Sequence, residues 1–200
     1  MSKGVLTVVS GFSGAGKGTV MKRLIQKYDD YALSISVTTR TPREGERDGI
    51  EYFFKTKEEV ESMIENDEFL EYARYVDNYY GTPRFYVEEM LAKGKNVILE
   101  IEIQGAMQIK AKNPEAVLVF VTPPSFEELR NRLIGRGTET ADVIESRLRR
   151  ASEEAEGMSS YDYILVNDQV EDCVDRLHQI ILSERAKAQR NEEFINTIQQ

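Results

Sequence analysis

The segment Gly11-Phe12-Ser13-Gly14-Ala15-Gly16-Lys17-Gly18-Thr19 places three glycines and a lysine within seven residues, after the apolar run Leu6 to Val9. Glycines let the backbone curl until successive N–H groups converge on one anion. A helix starting near Lys17 adds the partial positive charge of its N-terminus, and the ammonium adds a full one. Strand, glycine loop and helix together form a seat for the β and γ phosphates of a nucleoside triphosphate. Ser or Thr usually follows the lysine and holds Mg²⁺; here Gly18 stands in that place and Thr19 follows. Gly18 offers no hydroxyl for direct coordination of a metal, and Thr19 or Glu100 would reach one only through water. The Gly-Lys-Gly-Thr order points away from GTPases and motor ATPases and towards kinases of small molecules. Neither Asn-Lys-x-Asp nor Asp-x-x-Gly, as expected of a GTPase, occurs.

A second cluster is cationic. Arg40 and Arg43 stand three residues apart in a segment that Pro42 keeps from being a regular helix. Each guanidinium can fork onto a pair of phosphate oxygens. Taken alone, the pair suits a phosphate clamp or a solvated loop equally. Glu100 and Glu102 lie two apart at the end of an apolar run, hence on one face of a strand at its carboxyl end, where open α/β sheets place ligands.

Positioning these groups requires strands that alternate with helices. Apolar runs at Leu6 to Val9, Val97 to Ile101, Ala116 to Val121 and Tyr163 to Val166 read as buried parallel strands. Helices are expected at Lys17 to Lys27, at Ser125 to Arg136 and from near Val170 onwards. Capping-box spacing marks helix starts at Thr56 with Glu59, Ser125 with Glu128 and Asp168 with Glu171. The pattern predicts an α/β fold of the P-loop NTPase type, a mostly parallel sheet flanked by helices. Two segments interrupt the alternation. Residues of about 34–95, with extended pieces at Glu51 to Lys55 and Phe69 to Tyr75 and helices near Thr56 to Glu65 and Pro83 to Lys93, read as an inserted subdomain. Residues of about 135–159, opening with Gly135-Arg136-Gly137 and carrying Arg147, Arg149 and Arg150, read as a mobile helical lid. The core is then about 1–33, 96–134 and 160–200, in a single domain.

With 200 residues and 40% hydrophobic content, the chain is long enough to bury a core without covalent staples. The single cysteine, Cys173, excludes an internal disulfide framework and suits a reducing, cytoplasmic compartment. Val5 to Val9 is too short for a signal core, and no run reaches the roughly 20 apolar residues of a membrane span. A net charge of −9 repels nucleic acid and anionic membrane, so phosphate contacts must be gathered locally. The sequence leaves the oligomeric state open. His178, the only histidine, reads as a packing or surface residue and Cys173 as inert, while Tyr72, Tyr75 and Tyr79 read as packing residues.

The cationic segment has company. Ser36 to Arg43 (Ser-x-x-x-Arg-Thr-Pro-Arg), Tyr52, Glu68 to Ala73 (Glu-Phe-Leu-Glu-Tyr-Ala), Asn78 to Thr82 (Asn-Tyr-Tyr-Gly-Thr) and Leu99 to Ala106 (Leu-Glu-Ile-Glu-Ile-Gln-Gly-Ala) together resemble the guanylate kinase family. Gly135 to Glu139 and Tyr161 to Asp168 carry the resemblance almost from end to end. The resemblance implies transfer of the γ-phosphoryl of ATP, with Mg²⁺, to GMP and also dGMP. It implies that Gly11 to Thr19 hold ATP, and that Arg40, Arg43, Tyr52 and Tyr80 hold the acceptor phosphate. Ser36, Glu71, Gly81, Thr82 and Glu102 then face the guanine; the family usually has Asp where Glu102 stands. Asn167 and Asp168 resemble its adenine-contacting loop, although Asp168 equally suits a helix cap. Arg132, Arg136 and Arg147 would close over the migrating group, the alternative being a solvated helix face.

The chemistry of the base agrees. Guanine presents N1–H and its exocyclic amine as adjacent donors, which a carboxylate such as Glu71 accepts in pairs, and O6 needs a donor such as Ser36 or Thr82. The sequence also admits two other readings: a kinase of another nucleoside monophosphate, and a non-catalytic guanylate-kinase-like binding module.

Overall fold

The computed structural model describes residues 3–135, 137 and 140–199. Its central strand, β1 (Leu6–Gly11), is buried almost throughout, Thr7 and Ser10 included, as befits a strand whose sheet is covered on both faces. It lies between β7 (Asn96–Glu100) and β8 (Val117–Thr122), with β2 (Tyr31–Leu33) beyond β7 and β9 (Tyr163–Val166) beyond β8. All four pairings are parallel, with Val8 opposite both Leu99 and Leu118. The chain therefore leaves β1 and continues to strands on both sides of it. The gap outside the carboxyl end of β1 is the switch point where such sheets bind ligands. Gly11 closes the strand because nothing larger fits: a Cβ there would lie 2.0 Å from the carbonyl oxygen of Val121.

Helix α1 (Lys17–Lys27) covers one face through Val20, Met21 and Leu24. Beside it runs α7 (Val170–Arg185), which buries Cys173, Val174, Leu177 and Ile181. Arg23 of α1 reaches Glu171 of α7 at 2.5 Å, so a polar contact pins the two helices along the edge of their apolar contact, and the Tyr31 hydroxyl of β2 meets His178 Nδ1 at 2.7 Å. Helix α4 (Ile103–Lys112) supports the other face with Ala106 and Ile109, and α5 (Phe126–Gly135) and α6 (Ala141–Ala155) lie over the loop end.

Between β2 and β7 the chain builds a second, mixed sheet in the order β4-β3-β6-β5, from β3 (Val37–Thr38), β4 (Phe53–Phe54), β5 (Phe69–Tyr75) and β6 (Asn78–Pro83). It has a small core of its own, Val37, Val60 and Phe69. Helix α2 (Lys57–Glu65) carries the expected capping box, Thr56 and Glu59 each satisfying the other's backbone. Helix α3 (Arg84–Ala92) returns the chain to the main sheet, and α8 (Glu192–Ile198) follows the last turn.

Three expectations are corrected. The Ser125 box is half formed: its hydroxyl accepts from the Glu128 amide at 3.1 Å, but the Glu128 carboxylate turns to Arg132 at 2.7 Å. The Asp168 box is absent, because α7 starts one residue later with Gln169 at its cap and Glu171 is held by Arg23. Tyr75 is 72% exposed and Tyr72 is also exposed, so neither is a core residue.

Candidate active site

The glycine loop sits at the carboxyl end of β1, as the motif demands. Gly14 and Gly16 adopt φ of 97° and 89°, left-handed values that favour glycine. Phe12 and Ala15 are buried beneath the loop, Phe12 edge-on to Phe120 at 5.0 Å, which leaves Ser13, Gly18 and Thr19 exposed at its mouth. Lys17 opens α1 and curls back, its Nζ donating to the carbonyls of Gly11 at 2.7 Å and Phe12 at 3.2 Å. From α6, Arg147 donates to the Ser13 hydroxyl. Arg132 of α5 is half-buried and held by Glu128, while Arg136 lies outside the described residues. Asn167 is buried against the loop and Asp168 is exposed beside it.

A cleft of about 250 Å³ opens between Gly11, Lys17, Glu100, Ile101, Glu102, Ile103 and Glu154. Glu100 borders it. Although its surface is open to the cleft, the protein mass around its carboxyl disfavours the anion and raises its pKa, and the Lys17 charge opposes that shift. Gly18 faces it too: a Cβ there would stand 4.0 Å from Glu100 Oε2.

The second sheet assembles the cationic cluster. Arg40 stacks over the rings of Tyr52 at 5.4 Å and Phe54 at 6.0 Å, and Tyr80 completes the group with its ring 6.2 Å from Tyr52. Glu46 joins them. One of its oxygens accepts from Arg40 Nη2 at 2.8 Å and the other from the Arg43 amide at 2.8 Å, which holds its carboxyl below the usual carboxylate range. The Arg43 residue is exposed. Ser36 is half-buried and its carbonyl accepts from the Phe53 amide at 2.9 Å, joining the segments before β3 and β4.

Deeper in, β5 and β6 pair so that Glu71 lies opposite Thr82 and Tyr72 opposite Gly81. The Thr82 hydroxyl donates to Glu71 Oε1 at 2.6 Å, in a carboxylate only 7% exposed. Burial pushes the Glu71 carboxyl up, and the Thr82 hydrogen bond offsets part of that. Glu102 does not join this pair. It is exposed at the start of α4, where it receives Arg150 of α6.

The structure thus holds a glycine loop with its lysine at the end of β1 and, in the second sheet, a buried carboxylate anchored by a hydroxyl. A family model described as guanylate kinase matches residues 3–184. The chain belongs to the guanylate kinase family. It is 53% identical to a guanylate kinase of Oceanobacillus iheyensis over 94% of this chain and 91% of the relative. It is 55% identical to one of Bacillus anthracis over 94% and 92%. Among solved structures, a guanylate kinase of Anaplasma phagocytophilum superposes with a TM-score of 0.72 at 35% identity, covering 94% of this chain and 90% of that one.

Within this guanylate kinase fold, Glu46 and Gly105 are site residues that the sequence reading passed over. Glu46 falls three residues after Arg43, and its amide closes a turn onto the Arg43 carbonyl at 3.1 Å. Gly105 of α4 lies against the other carboxylate oxygen: a Cβ there would stand 3.1 Å from Glu71 Oε2 and 3.2 Å from Ile101 Cδ1. Gly105→Ala should therefore crowd the Glu71 carboxylate and raise KM for GMP roughly fivefold, the scale of modest overpacking, with KM for ATP unchanged. Because alanine favours the helix by about 1 kcal/mol, the melting point should hold or rise. Steady-state kinetics with each substrate varied in turn check the first expectation, and a thermal melt the second.

Proposed function

We propose that this chain transfers the γ-phosphoryl group of ATP to GMP, giving ADP and GDP, and accepts dGMP as well. The observation that carries this reading is the buried Glu71 carboxylate with Thr82 bonded to it. An ionised carboxylate accepts only, and guanine offers two adjacent donors where adenine offers a lone pair at N1. A site built on such bonds rejects the wrong base because its own buried groups would be left unpaired.

In this reading the loop amides and Lys17 hold the triphosphate, with Ser13 and Thr19 at its mouth. Arg40, Arg43, Tyr52 and Tyr80 hold the acceptor phosphate, which must take over the partners that Glu46 now engages. Ser36, Gly81 and Thr82 surround the base with Glu71, and Glu102 belongs to the wall through its ion pair with Arg150. Asp168 remains available to the adenine edge. Phosphoryl transfer asks for positioning and charge neutralisation rather than covalent help, and the acceptor is already an anionic oxygen, so no general base is required. Arg132, Arg136 and Arg147 neutralise charge on the migrating group as residues 135–159 close as a lid over residues 34–95 and the core, excluding water that would otherwise hydrolyse ATP.

Mg²⁺ fits the residues present. A carboxyl disfavoured as an anion by its surroundings, at a strand end beside the phosphate loop, gains from a divalent cation, and Glu100 is such a group. Glu100 and Thr19 would hold the ion through water, as suits Mg²⁺, which keeps several of its waters. Bound there, it would offset the charge of the triphosphate. No helix among the described residues is long and apolar enough to cross a membrane; we place the protein in the cytoplasm, acting on nucleotides and not on nucleic acid.

A panel assay tests the reading. With ATP and Mg²⁺, ADP should form fastest with GMP, then dGMP, and at least about a hundredfold more slowly with AMP, CMP or UMP, on the scale expected of hydrogen-bond selection. Preference for AMP would overturn the assignment.

A further inference from the structure

Glu71 follows directly on an irregularity in β5. Phe69 lies opposite Pro83 and Glu71 opposite Thr82, so β5 uses one residue more than β6 over that interval. The extra residue, Leu70, is buried in the core of the main sheet, whereas Phe69 belongs to the core of the second. A bulge of this kind disrupts the hydrogen-bond ladder locally and re-aims side chains beside it. The level at which Glu71 stands against the rest of the fold is then set by contacts outside the ladder.

Two such contacts come from one face of α4. Gly105 and Lys112, the last residue of the helix, are two turns apart, with the buried Ile109 between them on the same face. Gly105 lies against the Glu71 carboxylate. Lys112 Nζ donates to Asp67 Oδ1 at 2.9 Å and to the Phe69 carbonyl, at the head of the bulge, at 3.4 Å. Asp67 has a φ of 51°, a left-handed value that aspartate tolerates better than most residues. From there its other oxygen accepts from Arg84 Nη2, at the start of α3, at 3.1 Å. The Lys112 bond, with Arg84 beside it, holds the Asp67 carboxyl below its usual range. The head of β5 is thus tied to the end of α4, and Glu71 abuts the same helix two turns back.

We propose that Lys112 is a positioning residue for guanine selection: through Asp67 and the Phe69 carbonyl it holds the β5 bulge at the level along α4 where Glu71 meets the base. The inference rests on the reading of Glu71 as the acceptor for guanine. The Asp67 and Lys112 side chains are 71% and 41% exposed, and ion pairs so exposed add little to stability. The contact should therefore be felt at the acceptor site and hardly at all in a melt.

The test compares the unaltered full chain with Lys112→Met, which keeps the apolar stem without the charge, and with Asp67→Asn, which keeps the tolerance of left-handed backbone. KM and kcat are measured for GMP, inosine monophosphate and ATP, with a thermal melt alongside. Each variant should melt within about 3 °C of the parent. KM for GMP should rise roughly fivefold in each, a fraction of what a misplacement of about 1 Å can cost, and KM for ATP should stay as it is. Inosine monophosphate lacks the exocyclic amine and should lose less, so the preference for GMP falls. The double variant should be no worse than either single one, since both remove the same tie. A preference for GMP left intact in both variants, or a KM for ATP that rises in step, would overturn the proposal. Indifference of the unaltered chain between GMP and inosine monophosphate would instead remove the Glu71 reading beneath it.

Discussion

Lys17→Ala should lower kcat roughly a thousandfold, the scale on which removing one preorganised charge or donor from a transition state is felt. Phosphoryl transfer leaves the protein little to do beyond holding charge in place. Lys17 is the cation at the loop itself, since its ammonium already lies over the carbonyls of Gly11 and Phe12 and borders the cleft with Glu100. When a triphosphate enters, that ammonium exchanges carbonyl partners for phosphate oxygens without moving far. The fold should tolerate the change. Lys17 is the first residue of its helix and half-buried, so the variant loses hydrogen bonds worth about 1 kcal/mol each. Removing the charge should also let the Glu100 pKa rise further, since Lys17 is what holds it down. Lys17→Arg should not restore activity, because a planar fork is a different donor from a compact ammonium. Coupled ADP-release kinetics and a thermal melt decide it; turnover at the unaltered rate in a folded alanine variant would remove the phosphate loop from the mechanism.

The donor half of the site is readable in the sequence because its chemistry is local. The apolar run, the glycines and the lysine follow one another without a break from Leu6 to Lys17, and neighbouring residues remain neighbours in the fold. The acceptor half needs tertiary information. Glu71 and Thr82 are eleven positions apart, and only the β5–β6 register, with its irregularity between Phe69 and Glu71, brings their side chains together. Glu46 reads as one more surface glutamate until the turn folds it onto Arg40. Strand β2 escapes notice because three residues carry no periodicity, and α4 because Gly105 weakens the helical pattern at a position where Glu71 leaves little room for a side chain. Asn167 carries a contact that its sequence neighbours do not announce, the bond from its Nδ2 to the Ala15 carbonyl of the phosphate loop.

Glu71→Gln should move activity and stability in opposite directions. Guanine recognition requires an acceptor for both N1–H and the exocyclic amine, and glutamine turns one of those acceptors into a donor. Losing a bidentate pair and adding a donor-donor clash should cut kcat/KM for GMP at least about a hundredfold. GMP should also lose its advantage over inosine monophosphate, which keeps N1–H but lacks the amine. The folded protein without substrate should nonetheless gain. Burial raises the Glu71 pKa in the native state, so between the ordinary glutamate value of about 4.3 and that raised value the native chain binds more protons than the unfolded one. Stability then falls as pH rises through this window, and above it the cost of an enclosed anion is borne in full. Glutamine carries no such cost and can still accept from Thr82, so the variant should melt higher than the parent at neutral pH and the difference should shrink on acidification. A carboxylate kept for its ligand at the expense of the empty fold predicts both halves of that result. If the variant lost stability at neutral pH while keeping its preference for GMP, Glu71 would be a structural residue and the guanine pocket would have to lie elsewhere.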